Sequence, residues 1–234
     1  MVYGFMYDNV ELTILMPCLN EERTVGICIE KAKTFLKDND IIGEVLIADN
    51  GSSDNSKQIS HKHFARVICV RKKGYGAAIR CGNIAAHGKY VIVGDADDSY
   101  DFSNVMPFIE KLRRGYDLVI GDRFKGGIDK DAMPFLHRYV GNPFLSWVGR
   151  RLYHTDINDF HCGLRGYNLE SIRKVHLRTS GMEFASEMIV QAVKHNLKIS
   201  QVPVRLKKDG RNGASHLNAW SDGWRHLKYL IRNR

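Results

Sequence analysis

Short apolar runs alternate with helical patterns along the first two thirds of the chain. The runs are rich in Val and Ile and bounded by turn residues, and they cover residues 12–16, 45–48, 66–70, 90–94 and 118–121. Runs of this kind are typical of buried parallel strands. Helical patterns lie between them at residues 22–37, 54–61, 77–87 and 104–114. The alternation predicts an α/β fold with a Rossmann-like, doubly wound, mostly parallel sheet.

The chain beyond residue 125 has a less regular pattern. It contains a long helical pattern, a helix, a strand, a polar basic loop and an aromatic-rich final helix, at residues 135–153, 183–195, 198–206, 207–216 and 219–231. No internal repeat, low-complexity tract or linker interrupts the sequence. We therefore expect a single domain over residues 1–234.

The charge balance narrows the classes of partner. Lys and Arg number 35 against 26 Asp and Glu, which gives a net charge of +9. Such a surplus favours nucleic acid, an anionic membrane face or phosphorylated substrates. No helix-turn-helix, zinc finger or aromatic-basic RNA platform accompanies the charge, so we expect no nucleic-acid partner.

The cysteines and the hydropathy indicate the compartment. The five cysteines are scattered without CxxC spacing, which disfavours a disulfide framework or a structural zinc site and fits a reducing cytoplasm. No apolar run approaches the ~20 residues that cross a bilayer. The first eight residues show no secretory signal pattern. Membrane contact is therefore expected to be peripheral, at the cytoplasmic face of a membrane, or to depend on a segment absent from this sequence.

A cluster of carboxylates follows the fourth predicted strand, in the segment Asp95-Ala96-Asp97-Asp98. In an extended segment Asp95 and Asp97 point the same way, so together they can hold a hard divalent ion. The alternative is an acidic turn in which Asp98 or Ser99 caps a helix. Ligand placement at strand ends favours the metal site.

Two other strand ends carry polar residues with two interpretations each. Asp49 ends the second strand, where a carboxylate can accept from a nucleoside base, while Gly51 permits a tight turn and Ser53 or Asp54 can cap the next helix. The basic, glycine-containing segment 71–77 precedes a helix and can attract phosphate, or it is a solvated turn.

The ordered set of motifs resembles the family-2 glycosyltransferases, and more closely their dolichyl- or polyprenyl-phosphate sugar synthase branch. The first motifs are Pro17-Cys18-Leu19-Asn20-Glu21-Glu22, Asp49-Asn50-Gly51-Ser52-Ser53-Asp54, Gly74-Tyr75-Gly76-Ala77 and Asp95-Ala96-Asp97. The later ones are Gly121-Asp122-Arg123-Phe124, Asp159-Phe160-His161-Cys162-Gly163-Leu164-Arg165 and Gly181-Met182-Glu183-Phe184-Ala185-Ser186-Glu187. The resemblance extends from about residue 12 to residue 230.

The resemblance implies a GT-A fold and a role for each motif. Donor-binding residues would be Pro17, Leu19, Asn20, Glu21, Asp49, Gly51, Gly76, Asp95, Ala96 and Arg211. Asp95 and Asp97 would hold Mg²⁺ or Mn²⁺. The catalytic set would be Asp97, Arg123, Arg165 and Glu187. Residues 12–125 would form the nucleotide-sugar and metal half, and residues 126–234 the acceptor half.

The implied reaction moves a sugar from a UDP- or GDP-sugar to a polyprenyl phosphate, with inversion. A phosphate acceptor already carries a nucleophilic oxygen, which Arg123 and Arg165 would position. A sugar hydroxyl acceptor, the alternative, needs a general base, for which Glu183 and Glu187 are the candidates. A nucleotidyltransferase is less favoured, because segment 17–21 is not a glycine-rich basic loop. The intact Asp95 and Asp97 disfavour an inactive, binding-only relative.

The final helix suggests where a lipid acceptor would be met. Trp220, Trp224, Leu227 and Ile231 share one face in helical register, and cations surround them. Such a helix lies in a membrane interface, or its apolar face packs on the sheet. The sequence leaves both open.

Overall fold

One mixed sheet organises the protein. The computed structural model describes residues 9–210 and 219–234, and in these ranges seven strands form a sheet in the order β3-β2-β1-β4-β6-β5-β7. The strands are β1 Leu12–Cys18, β2 Gly43–Asp49, β3 Arg66–Cys69, β4 Tyr90–Val93, β5 Leu118–Asp122, β6 Arg165–Asn168 and β7 Ile199–Pro203. The predicted α/β class and mostly parallel sheet are confirmed.

The order of the strands positions the ligand edge. β1 pairs in parallel with β2 on one side and with β4 on the other. From β1 to β3 each new strand is added towards one edge of the sheet, whereas β4 is added on the other side of β1. Because parallel crossovers are right-handed, this change puts the helices that follow β1 and β2 on one face and the helix that follows β3 on the other. The crevice at such a reversal is where doubly wound folds bind ligands. It lies here between the carboxyl ends of β1 and β4.

β6 was not predicted from the sequence. It reads Arg-Gly-Tyr-Asn, pairs antiparallel with β4 and β5, and lies between them. Four residues with polar ends carry no strand periodicity, so the strand is defined by its neighbours and not by its own pattern.

The helices cover the two faces of the sheet. They are α1 Val25–Asp38, α2 Ser56–Lys62, α3 Tyr75–Ala85, α4 Met106–Arg113, α5 Arg123–Gly126, α6 Asn142–Tyr153, α7 Leu169–Lys174, α8 Phe184–Lys194 and α9 Ala219–Arg232. One continuous cluster of buried apolar side chains joins sheet and helices. The predicted single domain follows from this shared core.

The long helical pattern at residues 135–153 is divided in the structure. A π-helical turn covers His137–Gly141, and α6 then begins with Pro143 in its first turn. Proline has no N–H to donate to the preceding turn, so a helix restarts there more easily than it continues. None of the side chains in the π-helical turn is buried.

Helix α9 packs on the domain with the opposite face from the one singled out in the sequence. Leu230 and His226 are buried, and the Tyr153 hydroxyl of α6 donates to the Leu230 carbonyl at 2.7 Å. Trp224 and Ile231 remain 65% and 59% exposed. The alternative in which the apolar face of Trp220, Trp224, Leu227 and Ile231 packs on the sheet is therefore wrong for Trp224 and Ile231. The Trp220 side chain lies outside the described part.

Candidate active site

The loop after β1 is fastened to the loop after β2 by side-chain to backbone hydrogen bonds. The Asn20 N–H donates to Ser52 Oγ at 2.9 Å, and the Ser53 N–H donates to Asn20 Oδ1 at 2.8 Å. The Glu21 N–H donates to Ser56 Oγ at 2.8 Å. Asn20 adopts φ 57°, which Asn tolerates better than most residues. The predicted nucleoside-pocket residues of these two loops are thus brought together, with Pro17 at the end of β1 and Leu19 directly after it.

Asp49 is buried at the end of β2, and its carboxylate closes its own turn. It accepts from the Gly51 N–H at 3.1 Å and from the Ser52 N–H at 3.2 Å. Gly51 has φ 89°, which favours glycine. The turn interpretation is confirmed, and contact of Asp49 with a nucleoside base stays a prediction.

The basic segment before α3 joins the same edge through Asn50. Lys73 Nζ donates to the Asn50 carbonyl at 2.8 Å, and the Gly74 N–H donates to Asn50 Oδ1 at 2.7 Å. Three successive strand-end loops are therefore cross-linked by polar side chains, and Lys73 brings a cation to their junction.

Gly76 serves packing at the start of α3. A Cβ there would lie 2.7 Å from Phe184 Cβ and 2.8 Å from the Thr179 carbonyl oxygen. The next N–H, of Ala77, donates to the Ser180 carbonyl. Because residues 179–184 cover this helix start, the expected donor contact at Gly76 is not supported.

The carboxylates after β4 lie in a turn and not in an extended segment. Residues 96–97 form a turn after β4 and Asp98 has φ 61°, so the expectation of an extended segment that makes Asp95 and Asp97 point the same way is wrong. Asp98 forms an ion pair with Lys31 at 2.6 Å. Ser99 donates from its hydroxyl at 2.6 Å and from its N–H at 3.0 Å to Asp97 Oδ1. Ala96 and Asp97 are buried, whereas Asp95 is half-buried.

The segment that follows β7 lies along this turn. The Lys207 N–H donates to the Ser99 carbonyl and the Gly210 N–H to the Asp97 carbonyl, both at 2.9 Å. Lys207 Nζ reaches Asp101 at 3.0 Å. The next residue, Arg211, was predicted to contact the donor and lies outside the described residues.

The donor set at the β4 turn fits Mg²⁺ or Mn²⁺. Hard divalent ions of this kind use one or two protein carboxylates and complete their shell with phosphate and water oxygens. Asp95 and Asp97 can provide the carboxylates, and Gly163, which faces Asp95 Oδ2, has no side chain to block that oxygen. Within residues 9–210 and 219–234, no group of three or more His, Cys, Asp or Glu side chains forms a metal-binding cluster.

Arg123 is buried at the start of α5 in a bidentate pair with Asp159. Its Nε and Nη2 donate to the two carboxylate oxygens at 2.6 and 2.8 Å. Burial disfavours the charged guanidinium, but the Asp159 carboxylate outweighs this effect and raises the pKa of Arg123. Asp159 belongs to a motif that marked the resemblance, yet sequence reasoning assigned it no role.

Arg165 does not face the open edge. Its guanidinium donates to the carbonyls of Cys162, Phe160 and Ala185 at 2.8, 2.7 and 2.6 Å. Burial lowers the pKa of Arg165. We therefore correct the expected phosphate contact: Arg165 stabilises the backbone around residues 160–165.

Glu187 is also engaged in structure. Its carboxylate accepts from the N–H groups of Arg178 and Thr179 at 2.9 and 2.8 Å and from the Thr179 hydroxyl at 2.6 Å. A carboxylate that fixes a loop through three donors is poorly placed to take a proton from an acceptor, so the expectation that Glu187 acts as a base is corrected. Among the described residues, Glu183 Oε2 is buried without a hydrogen-bond partner.

A histidine pair connects α9 to the Asp159 loop. The His161 and His226 rings meet edge to face at 4.4 Å, and His226 Nδ1 lies 2.8 Å from Ser186 Oγ. Burial lowers the pKa of His226 to about 4 and that of His161 still more clearly below its usual range. Both rings are therefore neutral near pH 7, and helix α9 is held to the site by an uncharged contact.

The seven-stranded sheet, with its polar loops joined at the β1–β4 crevice, has the GT-A fold. The sequence model of the family "Glycosyl transferase family 2" matches residues 13–175, about 70% of the chain. The chain therefore belongs to glycosyl transferase family 2.

Two relatives from Haloferax volcanii show the resemblance over most of the chain. The low-salt glycan biosynthesis hexosyltransferase Agl6 is 37% identical over 95% of this chain, which spans 53% of that relative's length. The dolichyl-phosphate hexose transferase is 29% identical over 97% of this chain and 95% of its own. The chain thus spans about half of the first relative and nearly all of the second.

A solved structure shares the fold. Glucosyl-3-phosphoglycerate synthase from Mycobacterium tuberculosis, in complex with Mn²⁺, UDP-glucose and glycerol 3-phosphate, superposes with a TM-score of 0.76 at 17% identity. The match covers 95% of this chain and 79% of that one. At this identity the likeness concerns the fold.

Proposed function

We propose that this glycosyltransferase moves a hexose, with inversion, from a UDP- or GDP-sugar to a polyprenyl phosphate at a membrane surface. Residues 12–125 would bind the donor and the ion, and residues 126–234 the acceptor. The observation that carries the choice of acceptor is an exposed aromatic and cationic surface on residues 135–147 and α9. Helices α6 and α9 pack on the loop that carries Asp159. The dolichyl-phosphate hexose transferase relative supports the same choice.

The donor side follows from the joined loops. Segment 17–21 and Asp49 line the crevice for the nucleoside, while Asp95 and Asp97 would hold Mg²⁺ or Mn²⁺ against the diphosphate. Bound there, the ion would neutralise the charge that grows on the leaving diphosphate. Lys73 lies at the junction of the loops and adds positive charge near them.

The acceptor side needs a nucleophile but no protein base. A lipid phosphate is already ionised near pH 7, so the protein must only orient it and exclude water. Arg123 is the described cation that we assign to this task, since it begins a helix and keeps its charge through Asp159. The engagement of Glu187 in the loop at residues 178–179 supports an acceptor that needs no deprotonation.

The surface that we call the aromatic face lies on residues 135–147. Its half-exposed or more exposed members are Phe135, Leu136, Tyr139, Val140, Phe144 and Trp147. Phe135 contacts Tyr139 at 4.7 Å and Phe144 stacks near Trp147 at 6.3 Å. Exposed apolar clusters of this size mark interaction sites, and Trp and Tyr favour the membrane interface.

The charge around the aromatic face suits an anionic bilayer. Residues 132–155 contain no Asp or Glu and include three arginines, of which Arg151 is exposed. The neighbouring α9 exposes Lys228 and Arg232 beside Trp224 and Ile231. In the described ranges no helix is both long and apolar enough to span a bilayer.

The inner side of the same helix reaches the site. Ser146 Oγ accepts from the Phe160 N–H at 3.2 Å, directly beside Asp159. A Cβ on Gly149 would lie 2.5 Å from the Phe160 ring, so α6 packs closely on this loop. Helix α6 therefore lies between the aromatic face and the Arg123–Asp159 pair, which suits an acceptor with a buried lipid tail and a charged head.

Transfer to a polyprenyl phosphate is the direct test of the proposal. With radiolabelled UDP-glucose, UDP-galactose, GDP-mannose and other nucleotide-sugars, and with Mn²⁺ or Mg²⁺ present, we expect label in the lipid fraction for one donor. We expect none in free monosaccharides, because Glu187 is engaged with the backbone of residues 178–179 and is poorly placed to activate a hydroxyl. Label in a sugar hydroxyl acceptor and none in lipid would contradict the proposal and direct attention to Glu183.

Binding to vesicles tests the aromatic face separately from the chemistry. In flotation with phosphatidylglycerol-containing vesicles at low salt, we expect the double variant Trp147→Ala/Trp224→Ala to bind at least about tenfold more weakly than the wild type. Binding should also weaken with salt, since each interfacial cation contributes on the order of 1 kcal/mol. Phe64→Ala is the matched control, because Phe64 is 87% exposed after α2, far along the chain from α6. An equal loss of vesicle binding in the double variant and in Phe64→Ala, or no flotation of the wild type, would contradict the assignment of the aromatic face as a membrane-binding surface.

A further inference from the structure

The loop between Asp159 and β6 brings a glycine against one of the two proposed metal-binding carboxylates. A Cβ on Gly163 would lie 2.6 Å from Asp95 Oδ2 and 3.2 Å from Cε2 of Tyr100. Non-bonded atoms do not approach a Cβ to 2.6 Å without displacement. Gly163 is not among the glycines with positive φ, so its backbone accepts an L-residue. Glycine is therefore needed here only to leave the Asp95 carboxylate in its present position, and not by the backbone conformation.

Tyr100 holds this loop in place. Its Oη accepts from the Gly163 N–H at 3.0 Å, and the Cys162 thiol lies at 3.7 Å from the same oxygen. The ring is almost completely buried. Burial raises the pKa of the Tyr100 hydroxyl well above its usual range, so the group stays neutral.

Tyr100, which binds the Gly163 backbone, belongs to the same segment as the carboxylate that Gly163 faces. Asp95, Asp97 and Tyr100 lie in one stretch of six residues after β4. The near end of this stretch carries the carboxylates, and its far end binds the backbone of the segment that faces Asp95. Tyr100 therefore sets the distance between Gly163 and Asp95 from the same turn that presents Asp95.

We propose that Gly163 and Tyr100 are positioning residues that orient the Asp95 carboxylate toward the divalent ion. The inference rests on the proposed function, in which Asp95 binds that ion. Neither residue would touch metal or substrate. A side chain at Gly163 would turn the carboxylate away, which is possible without unfolding because the displaced atom ends a flexible side chain.

Mn²⁺ binding measures this role without a transfer assay. The full chain is saturated with UDP or, separately, GDP, and free Mn²⁺ is followed by electron paramagnetic resonance. We expect Gly163→Ala to raise the Mn²⁺ Kd by about tenfold or more and Tyr100→Phe by less, as for other residues that orient metal ligands. The control Gly223→Ala should leave it unchanged, because a Cβ there meets nothing within 4 Å.

A double-mutant cycle in metal-free protein isolates the steric contact. Gly163→Ala should lower the unfolding midpoint in the wild-type background and lower it much less in the Asp95→Ala background, where the opposing carboxylate is gone. Equal Mn²⁺ affinity of Gly163→Ala and wild type, or a cycle without coupling, would overturn the proposal. A wild type that binds no Mn²⁺ with either nucleotide would instead reject the metal site of the proposed function, a result visible before any variant is made.

Discussion

Asp97→Asn should abolish sugar transfer and leave the fold intact. Asn retains an oxygen that can accept from Ser99, whose hydroxyl and N–H bind Asp97 Oδ1, so the turn is kept. It removes one of the two negative charges that would hold the ion against the diphosphate. We expect the transfer rate to fall by about a thousandfold, on the scale of lost electrostatic stabilisation of a transition state. Asp95→Asn should be similar or somewhat milder.

Asp131→Asn is the matched control for this prediction. Asp131 is exposed and has φ 61°, which Asn also tolerates, so both the activity and the unfolding midpoint should remain at wild-type values. Circular dichroism and thermal unfolding establish that Asp97→Asn is folded. Full activity of Asp97→Asn in chelator-treated buffer would exclude the metal mechanism.

Asp159→Asn should lower the free energy of unfolding by about 3 kcal/mol, because it leaves the buried Arg123 charge without its counter-charge. Both side chains are almost inaccessible, at 9% and 0%, so water cannot replace the carboxylate. Urea unfolding followed by fluorescence measures the change. Since Arg123 is also the proposed phosphate-orienting group, transfer should fall together with stability.

The same substitution at an exposed ion pair controls for the loss of charge itself. Asp129 pairs with Arg205 at 2.7 Å with both side chains partly exposed, and Asp129→Asn should cost less than about 1 kcal/mol. The double variant Arg123→Met/Asp159→Leu should recover part of the stability, because it removes both buried charges but leaves the Arg123 and His161 N–H groups without their Asp159 acceptor; it should not recover the activity. An equal loss in the free energy of unfolding for Asp159→Asn and Asp129→Asn would show that burial adds nothing to the stabilisation by the Arg123–Asp159 pair.

The fold could be predicted where periodicity is strong. The five strands expected in the first two thirds all exist. Their centres are short apolar runs, which are buried in β1, β2, β4 and β5 and half-buried in the edge strand β3. β6 was not predicted, because polar residues, Arg165 and Asn168, occupy its ends. Its pairing with β4 and β5 gives it the strand conformation. The division of the pattern at residues 135–153 was likewise hidden, although Pro143 marks the place.

The site could be predicted at the level of loops but not of individual contacts. The loops that carry Asn20 and Asp49 meet as expected, because the carboxyl ends of neighbouring parallel strands meet at one edge. Arg165 and Glu187 look chemically reactive in the sequence, yet all but one of their partners, the Thr179 hydroxyl, are backbone groups, which no residue pattern reveals. Gly163 and Tyr100 carry no chemistry of their own, so only coordinates disclose their contact with Asp95.

The position of β6 also bears on how the chain reaches its folded state. Tyr90 pairs with Asn168, and β5 pairs with both β6 and β7. A nascent chain that has left the ribosome as far as residue 125 contains β4 and β5 but not β6, the strand that lies between them. The edges of β4 and β5 that pair with β6 therefore stay unpaired until β6 is synthesised. Pairing across such sequence separations is slow. Residues 12–125 therefore cannot complete their folding ahead of residues 126–234, and chaperone contact during translation is expected at the open edges of β4 and β5.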